Sequence, residues 1–207
     1  MSEFPFDLAL MAAAFQQAAD HGWARMSIAE AARSAGLPLD AARARFPGKR
    51  VLLCRFGEHL DRMALASAPQ EGPVRDRLFD LLMNRFEAMK PHRAGVMALL
   101  RALPADPATA VFLTCATRRS LRWMLQAAGD PAHGLRGALR LKGLMAVWTW
   151  TMRAFENDDS EDLSATMAAL DKALAHAHEA ASWLSGERRR ETVPDASMAG
   201  ETAGGGV

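Results

Sequence analysis

The chain has 207 residues, and its 25 basic and 24 acidic side chains leave a formal net charge of +1. Half of the residues are hydrophobic, which is enough to build a core, and the near balance of charge excludes a polycationic DNA-coating protein but not a local basic patch. Two cysteines, Cys54 and Cys115, are too few for a disulfide framework, so we expect a reducing, cytoplasmic setting.

The composition favours an all-α fold of about nine helices, because Ala, Leu, Met and Arg dominate and strand-like alternation is scarce. The first four helices are predicted at residues 6–20, 27–34, 38–46 and 49–66. Gly22 is suited to end the first, and Ser27 and Glu30 have the spacing of a capping box at the start of the second. We assign residues 1–66 to an N-terminal domain.

A connector that contains Pro and Gly, at residues 67–73, precedes five further predicted helices at residues 74–89, 93–103, 108–128, 135–155 and 160–186. Asp158 and Ser160 are predicted to cap the last of them. We assign residues 67–186 to a second helical domain. From residue 187 the composition becomes polar and rich in Gly, which predicts a disordered tail at residues 187–207.

The two short helices joined at Gly36 form a helix-turn-helix pattern, whose second helix can lie in the major groove of DNA. Between residues 24 and 62, eight basic residues stand against four acidic ones, so positive charge is concentrated where phosphates would be contacted. Two ordinary helices with solvated arginines would give the same pattern, and this alternative stays open.

The later helices are rich in methionine and aromatic residues, which adapt well to irregular apolar space. Such a set can line a pocket for an apolar ligand, or it can simply form the core. The residues predicted to contact a ligand are Phe79, Met83, Phe86, Met97, Phe112, Trp123, Met145 and Trp148.

The last helix has apolar residues at spacings of three and four, among them Leu163, Met167, Leu170 and Leu174. Together with the preceding helix it could pair with a second copy as a four-helix bundle, or form a hairpin within one chain. A third possibility is that Trp183, Leu184 and the basic residues 188–190 touch an anionic membrane surface.

Motifs for catalysis are not found: there is no nucleophile elbow, phosphate loop or His-Glu-x-x-His sequence. His176 and His178 lie two residues apart on a helix and point to different faces, so they make a poor metal pair. The most apolar stretch, residues 143–152, is shorter than the roughly 20 residues of a membrane span. We therefore expect no catalytic residue, cofactor, metal site or membrane span.

Residues 6–60 resemble the N-terminal domain of the TetR family of bacterial regulators. The matching segments are residues 8–15, 21–23, 27–32, 35–37, 46–49 and 52–53. The resemblance implies a TetR-like fold and a homodimer, joined through the last two helices, that binds double-stranded operator DNA and releases it when a small apolar molecule enters the C-terminal domain. The predicted DNA contacts are Ser27, Pro38, Leu39, Ala41, Ala42, Arg43, Arg45 and Lys49.

A second resemblance covers roughly residues 74–174 and points elsewhere. Residues 74–78, 89–93, 126–130 and 157–163 are similar in order and spacing to a family of coenzyme Q biosynthesis accessory proteins that share the TetR fold. Those proteins bind lipid and do not act as repressors. The sequence therefore leaves a DNA-binding regulator as the leading hypothesis and, as the alternative, an accessory protein that binds a lipid or quinone precursor and carries a degenerate helix-turn-helix.

Overall fold

The computed structural model describes residues 3–68, 71–130 and 133–185, and these residues form helices and short connections without a strand. The α-helices of this part are α1 (Glu3–His21), α2 (Ile28–Ser34), α3 (Leu39–Arg45), α4 (Lys49–Ala66), α5 (Val74–Met89), α6 (Arg93–Ala102), α7 (Pro107–Ala127), α8 (Gly134–Glu156) and α9 (Ser164–Ser185). The predicted all-α fold is confirmed. The predicted tail at residues 187–207 lies outside the described residues.

The N-terminal unit is built around α1, which packs on α2 along one side and on α6 along another. Its buried residues include Leu10, Ala14 and Ala18, none of which exposes any surface. The alanines let the neighbouring helices approach closely, while α2 packs in turn on α3. The helix-turn-helix unit therefore rests on a helix that also belongs to the interface with the rest of the protein.

The C-terminal body consists of α5 to α9, with α8 packed along α9 and α5 packed on both α4 and α9. Its largest fully buried side chains include Phe86, Leu121, Met124 and Phe155. Each such side chain contributes roughly 1.5–3 kcal/mol to stability by leaving water. The long helix α4 also packs on α7, so it connects the N-terminal unit to the body.

An aromatic cluster forms the junction between the two parts. The rings of Phe15 in α1 and Phe56 in α4 lie 4.3 Å apart, and His92, in the 3₁₀ turn before α6, meets Phe56 edge-on at 5.4 Å. Beside this cluster the backbones of α1 and α6 touch, because a Cβ atom placed on Gly95 would lie 2.1 Å from the carbonyl oxygen of Phe15. Only glycine fits at this position.

The turn between α8 and α9 is organised by Asp158, which is 2% exposed. Its carboxylate accepts hydrogen bonds from the Thr166 backbone N–H at 2.6 Å and the Thr166 hydroxyl at 2.7 Å, and from the backbone and side chain of Ser160. Burial would raise the pKa of Asp158, but these hydrogen bonds outweigh it and lower the pKa to about 2. Asp158 thus stabilises the start of α9.

The prediction that α9 begins at residue 160 is wrong, since the helix starts at Ser164. The hydroxyl of Ser160 instead accepts the Ser164 N–H at 2.9 Å, and Leu163 adopts a left-handed φ of 56° while its side chain is buried. The local sequence predicts a helix cap at residues 158–160, but the buried turn moves the start of α9 four residues later, to Ser164.

Within the described ranges, no helix is both long enough and apolar enough to cross a membrane.

We predict that Gly95→Ala destabilises the protein by about 1–3 kcal/mol, because the added methyl group would force α1 and α6 apart. Gly57→Ala is the matched control: nothing lies within 4 Å of the position that its added Cβ atom would take, and Ala favours a helix interior by up to about 1 kcal/mol. Urea unfolding of both variants measures the difference. Equal stabilities would contradict the inferred contact.

We predict that Asp158→Asn lowers stability at neutral pH by roughly 1–3 kcal/mol, because charged hydrogen bonds at the start of α9 are lost. The contribution of Asp158 is present above about pH 4 and disappears as pH falls toward its folded pKa of about 2, so the variant and the natural protein should converge in acid. Asp80→Asn, at an exposed position on α5, is the control. Melting temperatures from pH 7 to pH 2 test this, and a gap independent of pH would refute it.

Candidate nucleic-acid interface and candidate ligand site

The helix-turn-helix unit is formed by α2, a tight turn and α3. Gly36 has a φ of +65° in the turn, a left-handed conformation that favours glycine, and the Leu37 N–H donates to the carbonyl of Ala32 at 2.8 Å. Helix α3 begins after Pro38, whose extended φ and ψ of −60° and 130° direct the chain into the helix. The unit predicted from the sequence is therefore present in the structure.

The two faces of α3 differ sharply in exposure. Ala42 and, just after the helix, Phe46 are each 1% exposed and hold α3 against the core. Leu39 is 44% exposed on the other side, and Pro38 and Arg43 are also exposed. The prediction that Ala42 contacts DNA is therefore corrected, because its methyl group faces the protein interior. Ala41 and Ser27 are half-buried at the margin of the exposed face.

Arg43 remains at the surface, where its guanidinium donates a hydrogen bond to the Pro47 carbonyl at 2.8 Å. This contact closes the end of α3 and holds the charged group next to the exposed face.

Arg45, in contrast, points back into the N-terminal unit. Its Nε donates to Asp7 of α1 at 2.8 Å, and Arg55 of α4 donates to the other oxygen of the same carboxylate at 2.5 Å. The Arg45 guanidinium also lies 5.3 Å from the ring of Phe6. One carboxylate thus connects α1, α3 and α4. The predicted phosphate contact has an internal partner that the local sequence did not indicate.

Lys49 has a similar internal role at the start of α4. Its Nζ donates to the carbonyl oxygens of Trp23 at 2.8 Å and Ala24 at 3.0 Å, and it lies 5.4 Å from the Trp23 ring. Burial lowers the pKa of Lys49, and the nearby charge of Asp106 opposes that shift. Through these hydrogen bonds Lys49 holds the segment that connects α1 and α2 against the start of α4.

The capping box predicted at Ser27 and Glu30 does not form. The Ser27 side chain makes no capping hydrogen bond. Instead Gln17 of α1 accepts the Ser27 N–H at 2.8 Å and donates to the Glu30 carboxylate at 3.0 Å. A side chain ten residues earlier replaces the local pairing, which spacing within α2 could not reveal.

The predicted ligand residues divide by burial. Met83, Phe86 and Met97 are at most 5% exposed, whereas Phe79, Phe112, Met145 and Trp148 are partly buried. Within this set, Phe86 and Trp148 stack at 4.7 Å. Trp123 is 62% exposed on α7, so its role as a pocket residue stays a prediction that its exposure does not support. Helical spacing alone could not distinguish this outward-facing tryptophan from an inward-facing one.

Two cavities lie elsewhere in the described part of the protein, and none of the eight predicted ligand residues lines either one. One, of about 550 Å³, is a groove between α8 and α9. The other, of about 410 Å³, lies between α1 and the segment that leads into α6. The first is lined by Gly143, Ala146, Val147, Trp150, Lys172, Ala173, His176 and Ala177.

A buried charge cluster was not predicted from the sequence. Arg85 of α5 is 5% exposed and forms an ion pair with Asp61 of α4, whose carboxylate also accepts the hydroxyl of Ser120 in α7 at 2.6 Å. The guanidinium lies 5.3 Å from the ring of Trp148. The available signal was that Arg85 falls on the apolar face of α5, in register with the buried residues Leu78, Leu81, Leu82 and Met89.

Groups suited to metal binding or thiol chemistry are sparse. The described residues contain no cluster of three or more His, Cys, Asp or Glu side chains that could hold a metal ion. Cys54 is half-buried and Cys115 is exposed.

Comparison with known proteins finds no matching family model and no matching curated protein. Solved structures do match. A TetR transcriptional regulator from Nitrosomonas europaea aligns with a TM-score of 0.67 and 20% identity, covering 84% of this chain and 99% of that one. A TetR-family regulator from Streptomyces coelicolor aligns with a TM-score of 0.65 and 19% identity, covering 96% and 94%.

A TetR regulator from Rhodococcus sp. RHA1 aligns with a TM-score of 0.60 and 17% identity, covering 86% of this chain and 97% of that one. At these identities the likeness shows the fold. The chain has the TetR-family fold, with its helix-turn-helix unit at the N-terminus and a helical body behind it.

Proposed function

We propose that the protein is a TetR-type transcriptional regulator that binds double-stranded DNA as a homodimer and responds to a small apolar ligand in the cytoplasm. The observation that carries this proposal is the two-sided character of α3. Ala42 and Phe46 anchor the helix, while Leu39 and Arg43 face outward. A recognition helix needs this combination of a rigid support and a free outer face. The regulators with similar structures lend further support.

We propose that Pro38, Leu39 and Arg43 contact the DNA bases or the adjacent backbone. Leu39 exposes 44% of its surface at the start of α3, where apolar contact with a thymine methyl group is favourable. The Arg43 guanidinium can donate to guanine or to a phosphate. Arg33, in the last turn of α2, and Arg50, in the first turn of α4, are exposed and suited to phosphate contacts. Arg45 and Lys49 act by holding α3 and α4 in place.

We propose that the homodimer forms through α8 and α9. These helices pack on each other within one chain, yet Trp150 remains 58% exposed and Met167 41% exposed. Trp150 also lines the groove of about 550 Å³. Exposed large apolar groups beside a groove are typical of subunit contacts, and a two-fold axis here would build a four-helix bundle.

We predict that the protein binds DNA from immediately upstream of its own coding sequence, with affinity that falls steeply as salt rises. Arg43→Ala should weaken binding by roughly tenfold, the effect of losing one arginine contact. Arg136→Ala removes an exposed arginine on α8 and should leave the affinity unchanged. Fluorescence anisotropy of labelled DNA measures the affinity of the natural protein and of both variants.

Two results would contradict this DNA-binding proposal. One is affinity no higher than for random DNA, and the other is an Arg43→Ala variant that binds as well as the natural protein. Native mass spectrometry of the freshly purified protein would then test for co-purified lipid, as the accessory-protein alternative predicts.

We predict that Trp150→Glu converts the dimer to a monomer, because a carboxylate would be buried without a partner at the subunit contact. Trp123→Glu makes the same change at a tryptophan of similar exposure on α7, and should leave the dimer intact. Sedimentation equilibrium reports both masses. A dimeric Trp150→Glu variant, or a monomeric Trp123→Glu variant, would place the interface elsewhere.

A further inference from the structure

Arg85 is a cation inside the body of the protein. It is 5% exposed, and its neighbours come from three other helices: Asp61 of α4 pairs with it, Ser120 of α7 donates to Asp61, and Trp148 of α8 covers the guanidinium at 5.3 Å. Burial lowers the pKa of Arg85 to about 10, so it still carries its charge at neutral pH. A full positive charge therefore lies within an apolar core.

The hydrogen-bonding capacity of Arg85 is only partly used. A guanidinium has five N–H donors, and Asp61 pairs with the terminal nitrogen Nη1. The buried Nε and Nη1 groups both lack a hydrogen bond among the described residues, so Asp61 balances the charge as an ion pair without satisfying either N–H group. The one carboxylate that balances the charge is itself 26% exposed and is shared with Ser120. A buried charged donor without an acceptor is unfavourable. The Nε side of the guanidinium is therefore suited to bind a hydrogen-bond acceptor from a ligand.

The tryptophan that covers the guanidinium belongs to a stack of aromatic rings. Trp148 stacks on Phe86 at 4.7 Å, and Phe86 contacts Phe155 at 5.2 Å. Phe86 and Phe155 are fully buried, whereas Trp148 is partly exposed. Trp148 is therefore the partly exposed member of this stack, and it contacts the buried guanidinium.

We infer that Arg85 anchors the ligand of this protein and that the ligand is an apolar carboxylate. Its carboxylate would accept hydrogen bonds from the free Nε edge, and its hydrocarbon part would lie against Trp148 and Phe86. A carboxylate makes the strongest, charge-assisted hydrogen bond to a guanidinium N–H group, and an apolar body suits the aromatic rings. This inference rests on the proposed function, since it names the chemical class to which the regulator responds.

The same geometry gives a route from ligand to DNA. Asp61 lies on α4, the helix that begins at Lys49 just after the recognition helix. A ligand carboxylate bound to Arg85 would compete with Asp61 for the guanidinium. It would also repel Asp61, because both groups are negatively charged. The ion pair between α4 and α5 would weaken, and this favours an orientation of the helix-turn-helix unit that no longer matches DNA. The ligand would therefore act by releasing DNA.

Isothermal titration of the full chain with octanoate, 1-octanol and octylammonium tests the ligand class. These probes share one alkyl chain and differ in head group. Octanoate should bind at least tenfold more tightly than 1-octanol, and octylammonium should not bind. Equal binding of octanoate and 1-octanol, or no binding of octanoate, would overturn the inference.

Two variants separate an anchoring role from a structural one, because they should act in opposite directions. Arg85→Lys keeps a positive charge for Asp61 but lacks the Nε edge, and should abolish the preference for octanoate. Asp61→Asn removes the competing carboxylate and should tighten octanoate binding several-fold. Arg140→Lys, which alters an ion pair between an exposed arginine and the buried Asp130, is the matched control and should change nothing. Unchanged binding in both core variants would overturn the assignment, and either variant suffices if the other does not fold.

Anisotropy with the upstream DNA then tests the coupling. Octanoate should lower the DNA affinity of the natural protein and not that of Arg85→Lys. If octanoate binds but DNA affinity is unchanged, the proposed route through Asp61 is wrong. If the protein binds no DNA at all, the proposed function fails, while the titrations still decide the ligand site independently.

Discussion

The orientation of the helix-turn-helix unit depends on the close contact between α1 and α6. The two backbones touch at Gly95 and Phe15, and the rings of Phe15, Phe56 and His92 fill the space beside them. A unit of this size buries too little surface to be stable alone, so it uses the body as part of its core. The body therefore sets the direction in which α3 faces. Any change in the body that moves α4 or α6 is transmitted to the exposed face of α3.

Polar side chains also hold the N-terminal unit together. Asp7 connects three helices through Arg45 and Arg55, Gln17 holds the start of α2, and Lys49 binds the carbonyls that follow α1. Partly buried charged hydrogen bonds of this kind are stronger than surface ion pairs. The consequence is that fewer charged groups lie at the surface of this unit than its number of basic residues suggests. Arg43 stays at the surface, while Arg45, Lys49 and Arg55 form contacts within the unit.

The buried pair of Arg85 and Asp61 calls for a different explanation. Removing two charges from water is costly, and apolar residues of similar size often stabilise a core equally well. Stability alone therefore does not account for an arginine beneath Trp148 with an unused N–H group. A role in binding and in coupling α4 to the body accounts for both the charge and its location.

The sequence by itself determined the helices and the helix-turn-helix unit. These features depend on periodicity, on Gly36 at a turn and on breaks such as Pro47-Gly48, which act over a few residues. Solved structures of the same fold agree with that prediction. The start of α9 was misplaced because the buried turn around Asp158 and Leu163 depends on packing as well as on local propensity.

Only the tertiary structure decided which side of each helix faces inward and which charges find partners. In α3, Ala42 is buried while Leu39 is exposed, although both are apolar residues of one helix. Likewise Phe86 is buried and Trp123 is exposed, although both are aromatic residues on predicted helices. The partners of Arg45 and Arg85 lie 38 and 24 residues away along the chain, at Asp7 and Asp61. Burial and pairing depend on which helices meet, and that is a property of the whole packed chain.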